Sequence, residues 1–182
     1  MASTPIPGFT PETDLERQLA EDPVLLEGWA WGRPRKGHPE GSVGAHVGDL
    51  LRTIDEWGET GVRREELRLL ALLHDSLKFQ VNHARRRVGE NHHAMRARRF
   101  AEGYTDDERL LAVLELHDRP YGIWRKLRRT GQFDEERFDD MVERVPDMPL
   151  FERFVDLVAS TEGKNPEPLE WFRSELSRRT GH

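Results

Sequence analysis

The stretch Leu67–Lys78, LRLLALLHDSLK, constrains this chain more than any other. Leu67, Leu70, Ala71 and His74 fall at i, i+3, i+4 and i+7, so one line of a helix runs from leucine to histidine. The run is too apolar for a surface and predicts a buried helix that ends by setting His74 beside Asp75. A buried ionised carboxylate without a partner costs several kcal/mol. The pair therefore calls for partners inside the core, and the rest of the chain offers them.

Further apolar stripes at helical spacing lie on both sides of this run. Val43, Val47, Leu50, Leu51, Ile54 and Trp57 mark a helix over 43–57. Leu110, Val113, Leu114 and His117 mark another over 106–117, and Phe151, Phe154, Val155 and Val158 a third over 150–161. Thr10 and Pro11 suit the start of a helix over 12–20, Asn91 can cap one over 92–102, and Thr105 with Glu108 reads as a capping box. Residues 24–31 form a short apolar piece and 32–44 a glycine-rich loop. The basic segments 79–89 and 121–129 read as a connector and a short helix. An acidic helix over 134–145 and a peripheral one over 169–179 complete the chain. No segment alternates as a strand would. The expectation is an all-α, single-domain helical bundle of about eight helices over 12–182, with a metal-binding core at 43–161 and an irregular N-terminal arm at 1–11.

Composition narrows the chemistry. The 182 residues fit one domain with a real core. The absence of cysteine leaves His, Asp, Glu and water as the ligands for any metal. A formal charge of −6 argues against a general nucleic-acid binder. No apolar run approaches the roughly 20 residues that span a bilayer, and residues 1–13 lack the pattern of a signal peptide, so a cytoplasmic location with no membrane partner is the default expectation.

Four expected helices each place a histidine on or beside an apolar face: His46, His74, His93 and His117. A fifth places Asp156 inside FVDLVAS. Alone, each histidine reads as a hydrogen-bonded core residue. Together they form the ligand set for Zn, Fe, Mn, Co or Ni, and helical bundles are a common place to build such sites. Phase separates His93 from His92. His93 shares a face with Ala97 and Phe100, while His92 faces the same side as Arg96 and Arg99 and stands as a substrate or outer contact. His38 and His83 fall in polar loops and read as exposed. Asp118 reads as a cap or a residue orienting His117.

These residues are similar in order and spacing to the HD superfamily of metal-dependent phosphohydrolases. The resemblance rests on GAHVGDLL, LLHDSLK, HHAMRA, ELHD and FVDLVAS, and covers roughly 44–160. LLHDSLK departs from the commoner motif in placing Ser76 and Leu77 where that motif has Ile-Gly. The resemblance implies an all-α bundle in which His46, His74, Asp75 and Asp156 hold one divalent metal. It further implies that His93, His117 and again Asp75 hold a second, with Asp75 as the bridging, catalytic carboxylate.

Lys78, one turn beyond His74, and Arg96, at i+3 from His93, can bind phosphate oxygens. Arg85–Arg87 and the basic residues of 125–129 add to a positive mouth suited to a small anionic substrate rather than a long nucleic acid. The leading expectation is hydrolysis of a small phosphate ester or nucleotide. The second is a mixed-valent di-iron oxygenase cleaving a C–C or C–P bond, as in relatives resembling myo-inositol oxygenase and phosphonate-cleaving enzymes. The third is a non-catalytic nucleotide-binding module. Nothing in the sequence requires a homodimer, though the tryptophans and the proline-rich arm allow one.

Overall fold

A computed structural model describes residues 4–34, 41–161 and 165–180. His38 and His182 lie outside these residues, as do positions 35–40 of the glycine-rich loop. Among the described residues there are ten α-helices and no strands. They are α1 (Asp14–Glu21), α2 (Pro23–Ala30), α3 (Val43–Glu56), α4 (Gly61–Leu73), α5 (His93–Ala101), α6 (Glu108–Leu116), α7 (Arg119–Thr130), α8 (Glu135–Arg144), α9 (Met148–Ala159) and α10 (Glu167–Thr180). No described helix is long and apolar enough to cross a membrane.

The all-α expectation is met, with more helices than the eight or so expected; the short apolar piece at 24–31 is itself helical, as α2, and capped separately from α1. Asp22 caps α2 with its carboxylate on the backbone N–H groups of Val24 and Leu25. Several starts differ from the sequence reading. Thr13, not Thr10, caps α1, since its hydroxyl accepts from the N–H of Glu16. His92, not Asn91, caps α5, and Asp107, not Thr105, caps α6. Asn91 instead staples the preceding loop, with its side chain bonded to the backbone N–H and carbonyl of Asn82 and to the carbonyl of Arg86.

The helix α4 is the axis of the bundle. Leu67, Leu70, Ala71 and Leu72 are fully buried, and burying each leucine contributes roughly 2 kcal/mol. Even its charged residue Arg68 is buried, gripping Glu16 through two bonds of 2.8 and 2.9 Å and the carbonyl of Thr10 at 3.0 Å. The helix α3 packs along α4, and α2 packs on α3. Trp29 of α2 is buried and donates from its indole to the carbonyl of Leu72 at 2.8 Å.

Residues 4–9 are irregular yet packed. Ile6 is buried, Phe9 lies against Trp29, and Pro5 and Pro7 rest on α3 where Gly44 and Gly48 leave room for them. The last helix is not peripheral. Phe172 of α10 is fully buried against Phe138 and Phe151, and α10 packs chiefly on α7.

Candidate metal centre

The ends of several helices meet at one place. His46 sits in the first turn of α3, and His74 closes α4. Asp75 opens the turn that follows. His92 and His93 start α5, His117 closes α6, and Asp118 precedes α7. The carboxyl ends of α4 and α6 carry the negative poles of their helices, which favours a cation between them. Gly28 of α2 backs the turn at Asp75 so tightly that a Cβ there would stand 1.9 Å from the carbonyl oxygen of Ser76.

The imidazoles form a chain, with ring centroids 5.4 Å apart for His46 and His74, 5.3 Å for His74 and His117, and 5.6 Å for His117 and His93. Phe154 of α9 covers His74 and His117 edge-on at 5.5 and 6.0 Å. Asp75 lies between the histidines. Its Oδ2 is 3.4 Å from Nε2 of His74, and its Oδ1 is 3.4 Å from Nε2 of His93. Lys78 pairs with the same Oδ2. Three groups of side chains among the described residues offer ligand atoms within 4.8 Å of one another: His46–His74–Asp75, Asp75–His93–His117 and, further out, His92–His93–Asp118; the first two share Asp75.

The backbone selects the tautomers. Among the described residues the partner of His74 Nδ1 is the carbonyl of Ala71 at 3.0 Å, and that of His117 Nδ1 is the carbonyl of Leu114 at 2.9 Å. A carbonyl cannot donate, so each Nδ1 carries the proton and each Nε2 presents a lone pair to the centre. Nε2 of His74 is buried with no hydrogen-bond partner among the described residues. His92 is the reverse case: its Nδ1 accepts from the N–H of Ala94 at 3.2 Å, so the neutral ring carries its proton on Nε2. Nε2 of His92 can donate, to Asp118 Oδ2 at 3.9 Å or to a bound oxygen, and is not free to coordinate. This supports the separation of His93 from His92 on grounds that sequence phase does not contain. The buried orphan nitrogen and the all-N/O donor set fit a divalent cation.

Burial lowers the pKa of His93 to about 4 and that of His117 to about 3, the nearby His74 adding to the shift at His117. Both rings are neutral at physiological pH. Burial alone would raise the pKa of Asp75, but His74, Lys78 and His93 outweigh it and keep the carboxyl well below its usual range. With His93 neutral, Lys78 is the standing counter-charge. Between about pH 6.5 and pH 4 the unfolded chain binds protons on His93 and His117 that the folded chain does not, so stability falls as the pH drops through that window. The lowered pKa of Asp75 acts only further down, below the ordinary carboxylate pKa of 3.8. The Tm of the metal-free protein is expected to fall by several degrees from about pH 7 to about pH 4.5, and a flat Tm would refute the neutral-histidine assignment.

The structure does not bring Asp156 to this centre, contrary to the expectation that it completes the first ligand group. Its carboxylate bonds Arg173 at 2.8 Å and lies 3.6 Å from Arg153. The reason is helical phase. Phe154 faces the histidines, and two residues at about 100° each turn Asp156 to the far side of α9. Asp156→Asn is therefore expected to leave metal content unchanged when the purified protein is analysed.

The expected substrate contacts fall in different places. Lys78 lies on Asp75, as above. Arg96 keeps a buried Nε with no hydrogen-bond partner among the described residues. Arg85 and Arg86 are exposed, and Arg87 reaches His83 at 3.0 Å. Lys126 is tied to Asp134 and Arg125 lies over Tyr121, so the basic helix is partly neutralised. Sequence reasoning missed Phe154 as the lid over two imidazoles and Gly28 as the support of the turn. A lone glycine in the apolar piece LLEGWAW was the available signal for Gly28.

A buried His/Asp cluster at converging helix ends defines an all-α metal-binding domain. Residues 43–160 match the family model of the HD domain, and the chain belongs to the HD domain family. This is a superfamily of the metal-dependent phosphohydrolase type, whose domains bind divalent metals. No curated protein and no solved structure matches the chain significantly.

Proposed function

We propose that the chain is a metal-dependent phosphohydrolase acting on a small anionic phosphate ester or nucleotide through a dinuclear centre. The observation that carries this reading is the placement of Asp75, whose two carboxylate oxygens face histidines of two different groups. His46, His74 and Asp75 would hold one ion, and Asp75, His93 and His117 the other. Two such ions lower the pKa of a bound water, polarise a phosphoryl oxygen and stabilise a leaving oxygen.

The chain's own residues do the rest. Asp75 fixes the spacing of the two groups. The carbonyls of Ala71 and Leu114 hold His74 and His117 in the coordinating tautomer. Nε2–H of His92 donates to a substrate oxygen, and Arg96 offers an uncommitted guanidinium one turn into α5. Lys78, paired with Asp75 in this structure, would be available to an anionic oxygen if a cation took its place at the carboxylate. Phe154 keeps water from the inner side of the imidazoles.

The donor set also admits a second reading. Each of the two groups that share Asp75 consists of two histidines and one carboxylate, and such nitrogen and oxygen donors suit iron as well as the other divalent metals. Metal analysis of protein purified without added metal separates the two. Release of phosphate from p-nitrophenyl phosphate by colourless protein loaded with Mn, Co or Ni supports the hydrolase. Two irons per chain with an EPR signal from a mixed-valent pair would replace it with a di-iron oxygenase.

A further inference from the structure

Arg137 stands out among the arginines around the centre. It lies on α8, between two ion pairs that tie α8 to α7, Lys126–Asp134 and Arg119–Asp140. Asp134 and Asp140 are each three residues from Arg137, one helical turn away. Yet Arg137 makes no ion pair among the described residues, and Asp134 accepts only from its backbone N–H, at 3.3 Å.

The guanidinium goes elsewhere. A Cβ added at Gly122 would be 3.9 Å from Nη2 of Arg137, which places the charge over the first turn of α7. A cation is ordinarily placed at the other end of a helix. That turn begins at Asp118, whose Oδ2 is 3.9 Å from Nε2 of both His92 and His93. Arg137 thus stands exposed over the turn of α7 that Asp118 opens, on the approach to the centre, with no ion pair among the described residues.

We infer that Arg137 is a specificity residue that holds an anionic group of the substrate other than the one that reacts. This rests on the hydrolase reading for the identity of the reacting group. A phosphoryl group would be held at Asp75 and the histidines, and Arg137, over the turn of α7 that starts at Asp118, addresses what projects from it in that direction. The substrate then carries two separated anionic groups, and binding energy from the outer one is available to orient the inner one. The absence of a side chain at Gly122 leaves that approach open.

Titration calorimetry on the full chain loaded with Mn(II) tests this, with inorganic tripolyphosphate and orthophosphate as probes. Wild type is expected to bind tripolyphosphate more tightly. Arg137→Ala should weaken tripolyphosphate about tenfold and leave orthophosphate unchanged, while Arg137→Lys restores part of the loss. Arg137 is exposed, so the variants are expected to fold. Equal loss for both probes, or no loss for either, overturns the assignment. Binding needs no turnover. If no ester is hydrolysed but the selective loss appears, the hydrolase reading falls and the role of Arg137 stands. If esters are hydrolysed and Arg137→Ala binds tripolyphosphate as wild type does, the reverse holds.

Discussion

Replacing Asp75 with alanine is expected to remove both metals at once. Metal content should fall from about two ions per chain to nearly none, and phosphatase activity by about three orders of magnitude, since the ions supply several kcal/mol of barrier reduction. The reason is that Asp75 belongs to both ligand groups. His46→Ala and His117→Ala each belong to one group, so each should cost a single ion. Asp75→Asn keeps the shape but not the charge, and should behave as Asp75→Ala in metal content while retaining more of the fold. A measured content of two ions in Asp75→Ala would show that the two groups do not share their carboxylate.

Gly28→Ala has the second large effect, and it acts from outside the ligand set. The added methyl would lie 1.9 Å from the carbonyl oxygen and 2.9 Å from the carbonyl carbon of Ser76, both backbone atoms that no rotamer change can move. Either α2 withdraws from the core or the turn that carries Asp75 shifts. Trp29, the next residue, anchors α2 through Leu72, so withdrawal also breaks a buried hydrogen bond. The expected cost is about 3 kcal/mol, the upper end for overpacking, with a Tm lower by roughly 10 °C and weaker metal binding. Gly103→Ala is the control, because its added Cβ would meet nothing closer than the carbonyl of Phe100 at 3.4 Å. Equal Tm values for the two variants would show that α2 does not brace the turn.

Much of this centre was legible in the sequence because each histidine lies at the edge of an apolar stripe, and a stripe reports which face of a helix is buried. His46, His74 and His117 are all buried where that logic puts them. The same logic misplaced Asp156. FVDLVAS is apolar on several sides, so its stripe does not say which of two faces meets the histidines, and the arginines that receive Asp156 come from α9 itself and from α10. Caps were misread for a related reason. Asn91 and His92 can both accept from the next turn, and the choice was made by a loop in which Asn91 bonds residues up to nine positions back. Arg137 gave no local signal at all, since Gly122, over which its guanidinium lies, is 15 positions away in the chain.

The pairing of Lys78 with Asp75 has a consequence for how the protein is handled. A buried carboxylate facing four imidazoles would be costly to fold around if it stood alone. Lys78, three residues on and half-buried, occupies the place of a cation until one arrives. Chelators should therefore strip the metal and leave a folded chain, unlike small metal-nucleated domains. The cation that binds must expel an ammonium group as it enters, so its net affinity falls as the ammonium's hold on Asp75 strengthens. Shortening that side chain, as in Lys78→Ala, would tighten metal binding and destabilise the metal-free fold together.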